Sequence, residues 1–299
     1  MRQPEFLTKG DTLIAIAPSG TLREKEKDKF KRGVEIWQEN GYNIVLEENY
    51  PAQDGYLAGN DDIRRNALSQ AWINPNYKGI LCVRGGYGGT RLLEKYTWKL
   101  ISSPKWLIGF SDITSLLWSL YTEGIMSVHG AVLTTMIEES VLSRQRLFDY
   151  LEGKPLDSLK GTGWGGGKTR GRLLAGNLTV ATHLLATKFC PDFQDVILAL
   201  EDIQEAPYRL DRMLTQWRLM GIFQQVKGIL LGRFSNCNPP DGVPSWTVNE
   251  VLFDRLKDLD IPIISDLPFG HEGENACLPV GHLIEIDGDR GEVFFNHDT

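Results

Sequence analysis

The chain is poor in cysteine: Cys82, Cys190, Cys237 and Cys277 are the only four in 299 residues, and they lie far apart. None forms a C-x-x-C pair, so neither a zinc site built from close pairs nor a disulfide scaffold is expected, and no metal or cofactor is called for. Cys82 lies in an apolar strand-like run and reads as a small core residue. No apolar run approaches the roughly 18 residues that a membrane helix needs. Positive charge is in deficit, with 32 Lys and Arg against 39 Asp and Glu, a net charge of −7. A general nucleic-acid binder is normally basic, so neither nucleic acid nor membrane is an expected partner. The first residues, Met-Arg-Gln-Pro-Glu-Phe-Leu-Thr-Lys-Gly-Asp, contain no apolar h-region, which makes a cytoplasmic location the expectation. With 41% hydrophobic and 24% charged residues the composition is that of a globular protein, which excludes disordered and collagen-like chains. The length allows two packed domains.

The first half alternates short apolar runs with amphipathic helical patterns. Strands are expected at Thr12–Ala17, Asn43–Leu46, Gly79–Val83, Lys105–Gly109 and Met126–Val128, with helices over Leu22–Gln38, Asp61–Trp72 and Asp112–Tyr121. Strands and helices in alternation mean an α/β fold with a parallel sheet covered on both faces. Gly161–Gly171 holds six glycines in eleven residues and reads as too flexible for a regular element. The expected organisation is therefore an N-terminal α/β domain over 1–152, a glycine-rich linker or loop over 153–171, and a smaller C-terminal domain over 172–299. The latter should hold helices at Asn177–Thr187, Pro207–Met220 and Thr247–Leu259. Its strands are expected at Val196–Leu200, Gly228–Phe234 and Ile261–Ser265, with a closing hairpin at Ile284–Phe295.

Four places could carry chemistry. In Gly109-Phe-Ser-Asp-Ile-Thr114 a strand gives way to a helix, so Ser111 stands at a sharp junction beside backbone N–H groups of a helix N-terminus. That placement suits a serine nucleophile, whose tetrahedral intermediate needs oxyanion donors, and it equally suits a helix cap. Ile113 excludes the esterase elbow G-x-S-x-G. Arg84-Gly-Gly-Tyr-Gly-Gly89 follows a strand and reads as a phosphate cradle, an oxyanion donor or a tight turn; it fits neither dinucleotide nor P-loop spacing. Val196–Leu200 runs straight into Glu201 and Asp202, strand-end acids that could orient an imidazole or cap a helix. Of the five histidines, His183 reads as packed in an apolar helix and His297 lies in the tail. His282 opens a strand-like run and His129 follows one, while His271 stands in a polar, glycine-bracketed loop after a strand. Serine, acid and histidine thus follow one another at strand ends.

Gly-Tyr-Leu-Ala-Gly (55–59), Arg-Gly-Gly-Tyr-Gly (84–88), Gly-Phe-Ser-Asp-Ile-Thr (109–114), Gly-Asn-Leu (176–178), Leu-Glu-Asp-Ile (200–203) and Phe-Gly-His (269–271) resemble, in sequence and order, the LD-carboxypeptidases. These are serine peptidases of murein recycling, related to the microcin C immunity peptidases. Phe110 stands where many members have tyrosine. The resemblance implies a Ser111–His271–Glu201 triad and an oxyanion hole from the backbone N–H groups of Gly86 and Asp112. It implies an N-terminal sheet like that of class I glutamine amidotransferases, a swivelling β/α C-terminal domain with the site between the two, and a homodimer. It further implies a muropeptide tetrapeptide substrate losing its terminal D-Ala. Arg84, Trp164 and Asn177 are candidate substrate-binding residues, Arg84 for the substrate carboxylate. Trp164 reads either as a base-stacking platform, which would favour an immunity-type peptidase acting on a peptidyl nucleotide, or as an anchor for the glycine run. A non-catalytic muropeptide-binding module is the remaining alternative.

Overall fold

Short, strongly apolar strands set between helices that are apolar on one side can bury their surface only in layers, and this chain does so twice. The computed structural model describes residues 1–48, 50–239 and 242–295, so the tail position His297 falls outside the described residues. The chain divides into one unit of Met1–Lys154 with Ala276–Gly281, and a second of Pro155–Asn275 with the chain from His282 onward.

The first unit is built on β1 (Thr12–Ile16), β2 (Asn43–Leu46), β3 (Gly79–Cys82), β4 (Trp106–Gly109) and β5 (Ser127–His129), all parallel in the order β2-β1-β3-β4-β5. The strands of its centre are buried throughout, as parallel strands with both faces covered must be. The sheet is not wholly parallel, because Leu278–Val280 from late in the chain adds to β5 in the antiparallel sense. Helix Asp61–Ile73 shows how the layer is held. Its buried positions Arg64, Ala67, Leu68, Ala71 and Trp72 follow the i, i+3, i+4, i+7, i+8 stripe of a packed face. Asn60 caps it by accepting the Ile63 N–H at 2.9 Å. The loops after β1, β3 and β4 all leave the carboxyl edge of the sheet, where open α/β sheets place their sites.

The second unit holds β6 (Leu159–Lys160), β7 (Thr162–Gly163), β8 (Lys168–Asn177), β9 (Val196–Ile203), β10 (Gly228–Ser235) and β11 (Ile263–Ser265), closed by the hairpin of Leu283–Asp287 and Glu292–Phe294. β8 to β11 are parallel and the remaining pairings are antiparallel. Residues in the left-handed region follow three of the parallel strands at once: Gln204 (φ 59°) after β9, Asn236 (φ 53°) after β10 and Asp266 (φ 59°) after β11. Each turns the chain sharply at the same edge.

The glycine-rich run requires a correction. It was expected to be too flexible for a regular element, yet β7 pairs with β11 inside it and β8 begins at Lys168. Its glycines serve close approach: a Cβ on Gly163 would stand 2.1 Å from the Gly288 carbonyl oxygen. Trp164 is pinned there. Its backbone N–H donates to Ile263 O at 2.9 Å, its indole N–H to Ser265 Oγ at 3.0 Å, and its ring lies edge-on to Phe253 with centroids 5.7 Å apart. His183 also differs from expectation, since it is exposed on its helix with Nδ1 against Thr179 O at 2.6 Å. The helix is too short to bury more than one side of itself. Trp164→Ala is expected to destabilise the second unit by about 2 kcal/mol, less than a fully buried tryptophan would, measured by denaturant unfolding.

Candidate active site

Ser111 is not a helix cap. It is the first residue of a 3-10 turn, Ser111–Ile113, that leads into the helix Thr114–Thr122, and the capping position belongs to Phe110 in extended conformation. Ser111 itself has φ 63°. A non-glycine residue in that region costs roughly 1–3 kcal/mol, and such strain persists only where the surroundings impose it. Here they do. A Cβ on Gly85 would come within 3.0 Å of Ser111 Cβ and 3.3 Å of its Oγ, so the glycine-rich loop lies tightly against the serine.

That loop is fastened from below. The Asp112 carboxylate accepts the Gly89 N–H at 2.7 Å and is itself buried, which raises its pKa against the pull of Ser19, Gly89 and Arg64. Arg64, 1% exposed, donates to Pro18 O at 2.6 Å, to Gly88 O at 2.8 Å and to Gly59 O at 3.2 Å. One guanidinium therefore joins three loops at the carboxyl edge of the first sheet. Gly86, with φ 108°, sits between these anchors. Half-buried Arg84 donates to Thr21 O at 2.7 Å and lies 3.7 Å from the Glu26 carboxylate; burial lowers its pKa and Glu26 opposes this.

In the second unit β9 delivers two acids to opposite faces, as successive strand residues must. Glu201 has no solvent exposure, and its Oε2 lies 2.6 Å from His271 Nδ1. A carboxylate in its ionised form only accepts, so that form pairs with the tautomer that carries its proton on Nδ1 and leaves Nε2 as the nitrogen that can exchange one. Asp202, on the other face, accepts Asn177 Nδ2–H at 3.0 Å, the Thr179 N–H at 2.9 Å and the Thr179 hydroxyl at 2.7 Å. Asn177 is buried, and its Oδ1 accepts the Val180 N–H at 3.1 Å as the cap of helix Leu178–Leu184.

The structure thus brings Glu201 and His271 together in one unit and gathers Ser111, Gly86, Asp112 and Arg84 in the other. Trp164 is held within its own sheet, and Asn177 holds Asp202. His129 is fully buried edge-on to Phe110, and His282 is buried with its carbonyl accepting from Leu173. Among the described residues no three His, Cys, Asp or Glu converge as metal ligands, and no helix is long and apolar enough to cross a membrane. Sequence reading missed Arg64, which was legible as a charge on an otherwise apolar helix face.

Residues 14–130 match the LD-carboxypeptidase N-terminal domain, and residues 170–286 match the LD-carboxypeptidase C-terminal domain. The chain belongs to the LD-carboxypeptidase family. A relative from Synechocystis sp. is 55% identical over 293 residues, covering 98% of this chain and 97% of its own. The murein tetrapeptide carboxypeptidase of Pseudomonas aeruginosa is 30% identical over 298 residues, covering 92% of each chain. In fold, the family member also superposes on the solved structure of MccF with glutamyl sulfamoyl guanosine, with a TM-score of 0.88 at 22% identity over 99% of this chain and 98% of that one.

Asp202 generates a pH prediction. Burial, reinforced by neighbouring Glu201, raises its pKa from 3.8 to about 6, against the hydrogen bonds from Thr179, Ile203 and Asn177. The folded state therefore binds this proton more tightly than the unfolded state. The stabilisation is full below about 3.8 and lost as pH rises through about 6. Relative to Asp202→Asn, the unmodified protein should lose about 2 kcal/mol between those limits, read by urea unfolding of both chains across pH 4–7.

Proposed function

We propose that this chain is a serine-type LD-carboxypeptidase that removes the terminal D-Ala from murein tetrapeptides. The observation that carries the reading is the strained Ser111, held in the left-handed region with the glycine-rich loop pressed against it. A residue that merely capped a helix would have no need of that strain. The buried Glu201 paired with His271 supplies the second half of the chemistry.

In this reading His271 Nε2 takes the Ser111 hydroxyl proton as Oγ attacks the carbonyl carbon of the third residue, an L-configured centre. The oxyanion that forms is met by the backbone N–H groups of Asp112 and Gly86. The imidazolium then gives its proton to the nitrogen of the departing D-Ala, the C–N bond breaks, and an ester to Ser111 remains. Water attacks that ester, losing its proton to Nε2, and the proton returns to Oγ as the shortened peptide leaves. Glu201 keeps the proton of Nδ1 in place and balances the imidazolium charge. Arg84 is proposed to receive the substrate's terminal carboxylate. Its Nη2 lies 3.6 Å from where a Cβ on Gly86 would stand, beside the oxyanion loop. The resemblance to the family supports a cytoplasmic homodimer in peptidoglycan recycling. It also supports the likeness of the first sheet to class I glutamine amidotransferases and a swivelling second unit.

The immunity-type alternative rests on an aromatic platform for a nucleobase. Trp164 is a poor one, since both its N–H groups and its ring are engaged within the second unit. Trp164→Ala should therefore leave tetrapeptide turnover per folded molecule nearly unchanged, and adenylates should not compete.

The decisive assay is mass spectrometry of muropeptide tetrapeptide incubated with the protein, where the loss of one alanine is expected, with or without EDTA. Ser111→Ala should abolish that loss while retaining the fold. His271→Ala and Glu201→Ala should each be severely impaired, and adding either to Ser111→Ala should cost little more, because a triad acts as a unit. Multiplicative losses, or cleavage of a peptidyl-adenylate analogue in preference to tetrapeptide, would sink the reading.

A further inference from the structure

His271 sits in a loop with no regular structure, from Asp266 to Cys277, yet its Nδ1 must meet one oxygen of a carboxylate that no solvent reaches. Two neighbours of His271 in that loop are held by a residue of β10. The Arg233 guanidinium donates through Nη1 to the carbonyl oxygens of Glu272 and of Glu274, the latter at 3.0 Å. Its backbone N–H donates to Phe269 O at 2.8 Å. The loop wraps the side chain closely: Gly273 (φ 66°) carries no Cβ, and one placed there would lie 2.5 Å from Nη1. On the near side of His271, a Cβ on Gly270 would lie 3.1 to 3.3 Å from Arg233 backbone and Cβ atoms. From the far end of the loop Asn275 Oδ1 accepts the Gly270 N–H at 3.1 Å.

Arg233 projects from the place where the β9–β10 register shifts, between Leu231 and Phe234. Such a bulge re-aims a side chain at the end of a strand. β9, the adjacent strand, carries Glu201. The strand pair thus supplies the carboxylate from one member and the clamp on the histidine loop from the other. A guanidinium suits the task because its planar fork offers several donors in fixed directions, whereas an ammonium is a point charge on a flexible stem.

We propose that Arg233 is a positioning residue, whose bonds to the Glu272 and Glu274 carbonyls set His271 in register with Glu201. The role in turnover rests on the hydrolase reading above; the role in placing the imidazole does not. Arg233 touches no reacting atom in this account. Its effect passes through the backbone on both sides of His271.

The test uses the full chain, with Arg233→Ala and Arg233→Lys. Arg233→Ala should lower kcat on muropeptide tetrapeptide by about 10²-fold, the scale on which small displacements of catalytic groups act. KM should change little, because the loop orients a proton-transfer group and does not hold the ground-state substrate. Guanidinium ion added to Arg233→Ala should restore part of the lost rate, and Arg233→Lys should fall between. Independently of turnover, the proton between His271 Nδ1 and Glu201, followed by NMR as a downfield resonance, should be sharp in the unmodified protein and broadened or lost in Arg233→Ala. Unchanged kcat together with an unchanged resonance would overturn the proposal. So would a loss of rate that tracks thermal melting and is not rescued by guanidinium. If Arg233→Ala does not fold, the resonance of Arg233→Lys at unchanged melting temperature decides in the same way. An unmodified protein that shows the resonance but leaves tetrapeptide intact, with the resonance lost in Arg233→Ala, would remove the substrate reading and leave the positioning role standing.

Discussion

A carboxylate with no solvent exposure is an expensive thing to place at the end of a strand, and Glu201 sets the terms for the second unit. Removing an ion from water costs several kcal/mol unless a partner and hydrogen bonds compensate. The compensation is His271 at 2.6 Å, which comes from a loop that the chain reaches only seventy positions later. The loop that delivers this ring nitrogen is held at several points along its length. The left-handed Asp266 that leaves β11, the glycines at 270 and 273, the Asn275 side chain and the Arg233 fork all act on the same short stretch.

The first unit meets a comparable constraint by different means. Its demand is backbone strain at Ser111, and the glycine-rich loop that lies against the serine is held by hydrogen bonds with two buried side chains. Arg64 joins the loops after β1 and β3 to the turn before its own helix, and Asp112 fixes the glycine-rich loop through Gly89. Both are ionisable groups taken out of water, and both hold irregular backbone. The two units therefore share a design logic. A parallel sheet supplies a rigid edge, and an arginine near that edge donates to the carbonyls of the irregular loops beside it.

Much of this was legible from residue order. The apolar runs located β1, β3, β4 and β9 to β11 within a residue or two at their starts, because buried parallel strands read as near-continuous apolar runs, and they also found the exposed edge strand β2. Helices at Asp61–Ile73 and Pro207–Leu219 declared themselves by cap and period. Ser111, Glu201 and His271 stood out as polar residues where apolar strands end. The misses have a common cause. Glycine in the 161–171 run looked like freedom, whereas in the folded chain it permits strands to approach within the reach of a missing Cβ. Leu278–Val280 looked like part of the second half, but its partner strand lies in the first. His183 was read as packed on the strength of its apolar neighbours, and nothing in a linear string says which side of a short helix faces out.

Sequence alone determined the class of the fold, the strand ends at which chemistry could stand and the family to which the chain belongs. Each of those is written in local patterns: period, burial and short motifs. Only the tertiary structure decided whether Ser111 was a cap or a strained residue, because φ at one position depends on what is packed against it. The same holds for the pairing of Glu201 with His271 in place of Asp202, since two adjacent acids on a strand point to opposite faces. Which of them meets the histidine depends on the side from which a distant loop returns.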